Sequence, residues 1–230
     1  MLQEGKNKII YDWVSITSKI HSPDDFIRLL GLNDEGISWE KVKGAHGYRD
    51  RLYWGSISIH YNGTDDMGIW LEMSGQGCRS FESYGTGDFE SLFAEVLENP
   101  EQMKVTRLDV AYDDLSGVLD IEEVCRDTEA QEYVSSFTGW NVQRGSEGSS
   151  VTLGSRSSEI LVRIYDKAAE RGFDDGRHWV RVELQLRRER ALSFLIGARA
   201  LGSDFQVFSQ IIAGIFKNRM EQIRIGGAGR

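Results

Sequence analysis

The sequence predicts an α+β domain with a largely antiparallel central β-sheet and helices on one face. Segments that alternate apolar and polar residues, the period of a half-buried strand, recur along the chain in runs joined by short turns. Helical patterns intervene irregularly, not once between each pair of strands as parallel βαβ units would require. Glycine is abundant and proline scarce, 25 and 2 of 230 residues, which suits glycine-rich turns between many strands.

In chain order, the first strand pattern covers Lys8–Thr17. Ser22, followed by Pro23, Asp24 and Asp25, is an N-cap with an acidic first turn and opens a helix through "FIRLLGL". Arg51–Tyr61 and Met67–Ser74 alternate as strands. In "GDFESLFAEVLENP", Phe89, Leu92, Phe93, Val96 and Leu97 recur at helical spacing until Pro100 stops them. Val105–Asp113 reads as a strand and "IEEVCRDTEA" as a short helix. "GWNVQRGSEGSS" reads as an exposed hairpin tip leading into Val151–Gly154, and Glu159–Lys167 and His178–Arg187 complete the strands. "RERALSFLIGARAL" and "FQVFSQIIAGIFKNRM" are helices. The last residues, "RIGGAGR", carry no apolar period, so residues 1–217 are expected to form one domain and 218–230 a tail.

With 40% hydrophobic residues the chain can bury a sizeable core. No apolar run approaches the roughly 18 residues that span a bilayer, and "MLQEGKNKIIYDW" lacks the apolar stretch of a signal peptide. A cytoplasmic protein without membrane contact is expected. Cys78 and Cys125 are far apart and have no CxxC partner, which argues against zinc and against a disulfide framework. The four histidines are scattered. A net charge of −9 argues against indiscriminate coating of nucleic acid, whose affinity comes from cationic contacts to phosphate. The stretch Arg156–Arg190 departs from this balance, with nine Lys/Arg against seven Asp/Glu.

Side chains alternate across a strand, so parity tells which residues share a face. "ILVRIYDK" lines up Arg163, Tyr165 and Lys167 on its polar side. "VTRLDVAYDD" leaves Arg107, Asp109 and Asp113 opposite Leu108, Val110 and Tyr112. "HWVRVELQLR" leaves Arg181, Glu183 and Gln185 opposite Val182 and Leu184, "GIWLEMSG" sets Trp70 and Glu72 apart from Leu71, and "GSISIHYNG" leaves Ser58 and His60 opposite Ile59. If the apolar sides pack on helices, one open face gathers Glu72, Asp109, Glu183, Tyr165, Lys167 and His60 with three arginines.

Carboxylates within about 4 Å of one another repel by roughly 4 kcal/mol per pair at an effective dielectric of 20. Such a cluster needs a divalent cation or interleaved arginines. In one reading Arg107, Arg163 and Arg181 simply pair with the acids as a salt-bridged surface. In the other, the acids hold Mg²⁺ or Mn²⁺, ions suited to oxygen ligands, and the face cleaves a phosphodiester. Tyr165 would then attack phosphorus and keep the phosphate as a phosphotyrosine, beside Arg163 and Lys167. A nuclease in which water attacks would use the same acids, and a non-catalytic DNA-binding protein would need none of this chemistry. Candidate DNA contacts are Arg49, Arg51 and Trp54 in "GYRDRLYWG", Ser155 and Arg156 in "GSRSS", and Arg181.

Six blocks, "YDWVSIT", "GYRDRLYWGSISIHYNG", "WLEMSGQGCRSFE", "VTRLDVAYDD", "TLGSRSSEILVRIYDKAAE" and "WVRVELQLRRERA", resemble in order those of the replication initiation factor family. That family takes in rolling-circle plasmid initiators and related relaxases of conjugative elements and phages, and the likeness covers residues 8–217. The resemblance implies a strand transferase that nicks single-stranded or hairpin-extruded DNA at a replication or transfer origin, with a host helicase and a second copy of the chain as further partners. It implies Tyr165 as the nucleophile that stays joined to the 5′ end, and Asp109 and Glu183, with Glu72 as the third acid, as metal ligands. It implies a variant of the HUH-endonuclease-like sheet in which carboxylates replace the histidine pair, and the sequence contains no HxH. The family pattern usually continues into a tryptophan- and lysine-containing C-terminal segment. Here the chain stops at "MEQIRIGGAGR", which implies weaker origin specificity, dimerisation or helicase recruitment.

Overall fold

The computed structural model describes residues 9–132, 137 and 139–215, and the expected tail at 218–230 lies outside them. The elements in chain order are β1 (Ile9–Ser18), α1 (Pro23–Leu29), β2 (Glu40–Lys43), β3 (Asp50–Trp54), β4 (Ile57–Tyr61), β5 (Ile69–Ser74), α2 (Gly75–Tyr84), α3 (Phe89–Glu98), β6 (Met103–Asp114), α4 (Ile121–Ala130), β7 (Trp140–Gly145), β8 (Gly148–Leu153), β9 (Ile160–Asp166), α5 (Lys167–Glu170), β10 (Val180–Arg187), α6 (Glu189–Leu201) and α7 (Asp204–Ile215). The described residues fall into two compact units: 11–109 with 187–196, and 110–186 with 9–10 and 197–215. The residues of β6 are divided between the units. Among the described residues no helix is long and apolar enough to cross a membrane.

In the unit built on Tyr11–Asp109 the strand order is β2-β3-β4-β5-β1-β6. The pairings β2–β3, β3–β4, β4–β5 and β1–β5 are antiparallel. The predicted strand Arg51–Tyr61 is a hairpin, because Gly55 and Ser56 both take left-handed backbone (φ 52° and 66°) in a two-residue turn. Val14, Ile16, Ile57, Ile59, Leu71 and Met73 make the buried apolar side of the sheet, and Phe26, Phe81, Leu92 and Val96 are among the buried helix residues. Each such side chain contributes about 1.5–3 kcal/mol on burial. Ser22 caps α1 as predicted, in a reciprocal box with Asp25, and Asp88 caps α3 through the Ser91 amide. Strand β2 and helix α2 went unpredicted. Ser74 caps α2, and Gly77 lets it lie close to the β3–β4 turn, where a Cβ would meet the Ser56 carbonyl oxygen at 2.3 Å.

In the unit built on Val110–Leu186 the order is β6-β10-β9-β8-β7. The pairings β7–β8, β8–β9 and β9–β10 are antiparallel. The expected hairpin tip is the β7–β8 turn. Helix α4 packs on β7, β8 and β9, and Tyr112 meets Phe205 and Phe208 of α7 at ring distances of 6.3 and 6.5 Å. Strand β10 differs from expectation: Val180 to Leu186 are buried at every position, so its polar side is not an open surface.

Asp114 anchors the loop between β6 and α4. Its buried carboxylate accepts hydrogen bonds from the Ser116 amide and hydroxyl (2.9 and 2.6 Å) and from the Leu119 amide (2.7 Å), and its Oδ2 lies 3.0 Å from His178 Nε2. Burial alone would raise its pKa, but these partners bring it below the ordinary value. Asp114→Ala is expected to lower unfolding free energy by about 3 kcal/mol, since charge-assisted bonds are lost and their partners stranded; a urea titration followed by tryptophan fluorescence measures this.

Candidate active site

In the Val110–Leu186 unit, β9 alternates Val162 and Ile164 into the apolar core with Arg163 and Tyr165 on the other side. The β9–β10 register sets Tyr165 opposite Arg181 and Arg163 opposite Glu183. Directly opposed residues share a face, so the four side chains meet as parity predicts. The Tyr165 hydroxyl donates to Glu183 Oε2 at 3.1 Å, and the Lys167 ammonium lies 3.5 Å from the same hydroxyl. Arg163 covers the phenol ring at 4.7 Å and reaches Glu183 Oε1 at 3.6 Å.

Tyr165, Arg181 and Glu183 are buried there, with Tyr165 4% exposed, whereas the Arg163 side chain reaches solvent. Burial, followed by the charge of Glu183, holds the phenol's pKa well above its ordinary value, so the resting group is a neutral phenol. Lys167 is not a strand residue as predicted. The chain turns into α5 there, its amide donating to the Trp179 carbonyl at 2.8 Å, and the buried ammonium pairs with Glu170 at 2.5 Å. Gly148 (φ 86°) allows this turn to lie against β8, for a Cβ there would meet Ala169 Cβ at 2.7 Å.

The other two acids belong to the Tyr11–Asp109 unit. Buried Asp109 accepts a two-pronged hydrogen bond from Arg107, 2.9 Å from Nε and 2.5 Å from Nη2, and Arg107 lies 4.3 Å over the Trp13 ring. Glu72 is half-buried, and burial raises its pKa against the charges of His46, Arg107 and Arg51. Among the described residues no three His, Cys, Asp or Glu side chains are gathered as a metal would need. The donor chemistry nonetheless suits Mg²⁺ or Mn²⁺, since Asp109, Glu183 and Glu72 offer carboxylate oxygens. Arg107 already counter-charges Asp109 and Arg163 counter-charges Glu183, so a cation at either acid would have to join or displace its arginine.

The expected DNA contacts are dispersed. Arg181 is buried and grips Asp113 with two hydrogen bonds of 2.7 and 2.8 Å. Arg49 is exposed and bonds the Asn62 carbonyl, and Arg51 lies 5.4 Å over the Tyr53 ring. Trp54 packs between Trp39 and Tyr84 at 6.1 and 5.6 Å. Ser155 and Arg156 are exposed in the turn before β9, with the Ser155 hydroxyl bonded to Ser157 and Ser158. Reading the sequence missed Glu170 and Arg171, which lie beyond the strand where parity has no force, and Asp113 as the partner of Arg181. His60 is also set apart: 2% exposed and stacked on Trp70 at 4.4 Å, neither ring nitrogen has a hydrogen-bond partner among the described residues.

Residues 103–224 match the family model described as "Replication initiation factor", and residues 8–98 match that of the "Rolling Circle replication initiation protein N-terminal domain". The chain is 28% identical over 197 residues to the putative DNA relaxase NicK of Bacillus subtilis (strain 168), a match covering 78% of this chain and 55% of that protein. It therefore spans little more than half the length of this curated relative. A solved structure of a rolling circle replication initiator protein from Geobacillus stearothermophilus superposes with a TM-score of 0.74 at 30% identity, over 83% of this chain and 78% of that one.

Burial first, then the charges of Arg51 and His46, push the His60 pKa down to about 4. A depressed folded pKa means stability is complete above the ordinary value near 6.5 and is lost as pH falls towards 4. His60→Phe keeps the stacking, removes two unsatisfied nitrogens worth about 1 kcal/mol or more each, and is expected to raise Tm by roughly 3 °C or more. The gain should widen between pH 6.5 and 4 in thermal melts followed by circular dichroism.

Proposed function

The chain belongs to the replication initiation factor family, and on that premise we propose that it nicks one strand of DNA at an origin through a covalent phosphotyrosine formed on Tyr165. The observation that carries this reading is the placement of the Tyr165 hydroxyl between the Glu183 carboxylate and the Lys167 ammonium. A buried neutral phenol is a poor nucleophile at neutral pH unless its proton has somewhere to go. Glu183 Oε2 already accepts the hydrogen bond, so it takes the proton as the phenol oxygen forms its bond to phosphorus. The bond from phosphorus to the 3′ oxygen breaks, and that oxygen leaves as a 3′-hydroxyl once protonated from water. Lys167 and Arg163 supply the positive charge that offsets the negative charge building on the phosphoryl oxygens.

Mg²⁺ or Mn²⁺ belongs to this proposal. Glu183, beside Tyr165, would be a ligand in the Val110–Leu186 unit, and when bound the ion would supply Lewis-acid polarisation of a phosphoryl oxygen. DNA, single-stranded or extruded as a hairpin, is the substrate. Relatives named as a DNA relaxase and a rolling circle replication initiator support this choice.

The test uses single-stranded oligonucleotides tiling the DNA on either side of this chain's gene, incubated with Mg²⁺ or Mn²⁺ and run on a denaturing gel. Wild-type protein should give a denaturant-resistant adduct, Tyr165→Phe none, and Glu183→Gln adduct at a rate lower by about a hundredfold or more. Free 5′-phosphate ends without trapped protein would mean that water, not Tyr165, attacks. Adduct formed by Tyr165→Phe would assign the nucleophile elsewhere.

A further inference from the structure

Glu170 makes an unusual pair of contacts for a residue beside a nucleophile. Its Oε2 lies 2.5 Å from the Lys167 ammonium and 3.8 Å from Arg171 Nε, one oxygen held between two cations. Lys167 in turn is 3.5 Å from the Tyr165 hydroxyl, so the Glu170 oxygen stands at most about 6 Å from the phenol oxygen. The exposures differ along this chain: the Lys167 side chain is 5% exposed, Glu170 40% and Arg171 59%. A buried ammonium is thus neutralised by a carboxylate that reaches solvent.

An oxyanion oxygen bridging a lysine and an arginine is the contact that a phosphodiester's non-bridging oxygen makes. A phosphorus under attack stands about 3–3.5 Å from the attacking oxygen, which brings its non-bridging oxygens within reach of Lys167 where Glu170 now binds it. Resting on the reading of Tyr165 as the nucleophile, we propose that Lys167 and Arg171 form the binding subsite for the scissile DNA phosphate, and that Glu170 occupies it in the resting protein until the phosphate displaces it. The carboxylate keeps a buried cation paired while the site is empty. It also raises the threshold for entry, since only an anion that competes with Glu170 gains the lysine. An acidic chain with net charge −9 thereby holds the phosphate charge site closed to casual contacts.

The displacement predicts that removing the carboxylate's charge strengthens DNA binding, the reverse of what losing a structural ion pair does. Fluorescence anisotropy with a labelled single-stranded oligonucleotide in Mg²⁺ compares wild type, Glu170→Gln, Arg171→Gln and Asp174→Asn. The last removes the same charge from an exposed residue nearby and controls for net charge. Glu170→Gln is expected to bind about tenfold tighter. Its plot of log affinity against log salt should be steeper by roughly 0.7, one more counterion release on single-stranded DNA. Arg171→Gln should bind several-fold weaker, and Asp174→Asn should change little. In the adduct assay Glu170→Gln lowers KM and leaves kcat near wild type, a split that a purely structural role would not produce. Equal or weaker binding by Glu170→Gln, or the same gain from Asp174→Asn, would overturn the displacement. Absence of adduct from wild type with the binding pattern intact would instead overturn the nucleophile and leave the subsite standing.

Discussion

The register between β9 and β10 is the constraint on which the candidate site depends. It sets Tyr165 opposite Arg181 and Arg163 opposite Glu183, and the hydrogen bond from phenol to carboxylate exists only because of it. A slip of one residue would send Tyr165 into the apolar core and bring Ile164 to the face. Such a slip is prevented by the other side of the same strands, where Val162, Ile164, Val182 and Leu184 are buried. Core packing therefore fixes the chemistry, and the apolar half of each strand specifies where the polar half meets.

Charge follows the same logic. The chain spends several arginines internally: Arg107 holds Asp109, Arg181 holds Asp113 and Arg163 reaches Glu183. Each sets a cation against a buried or half-buried acid, which offsets the cost of taking that charge out of water. The two readings that parity left open, a salt-bridged face and a catalytic one, are thus not exclusive. Ion pairing offsets the burial of the acids, while Tyr165 and Lys167 add a phenol and a cation that pairing does not require.

Much of this was legible in the sequence because alternation and capping are local. The faces of β4, β5, β6, β9 and β10 followed from parity, the start of α1 from Ser22, and α3 from the helical spacing of its apolar residues and the stop at Pro100. What escaped has physical causes. Helix α2 begins "GQGC", and two glycines in a first turn oppose helix propensity; it forms because Ser74 caps it and Phe81 is buried. Strand β2, "EKVK", has one half-buried residue among exposed ones and is recruited by pairing to β3. The burial of Tyr165, Arg181 and Glu183 was invisible because parity assigns a side and says nothing of how exposed it is. The contacts of Lys167 and Glu170 were missed because the strand ends at Asp166, where the two-residue period stops.

The position of Tyr165 within its strand has a mechanical meaning. It lies on β9, paired on one side with β10 and on the other with β8, where it faces Ser150. A DNA end tethered to this side chain would transmit any pull on the strand into a segment clamped along both edges by hydrogen-bond ladders. Load along β9 would have to shear two rows of bonds together instead of unzipping them singly. An anchor on a loop or an edge strand would yield sooner, so an interior strand would be the firmer mooring for any end attached there.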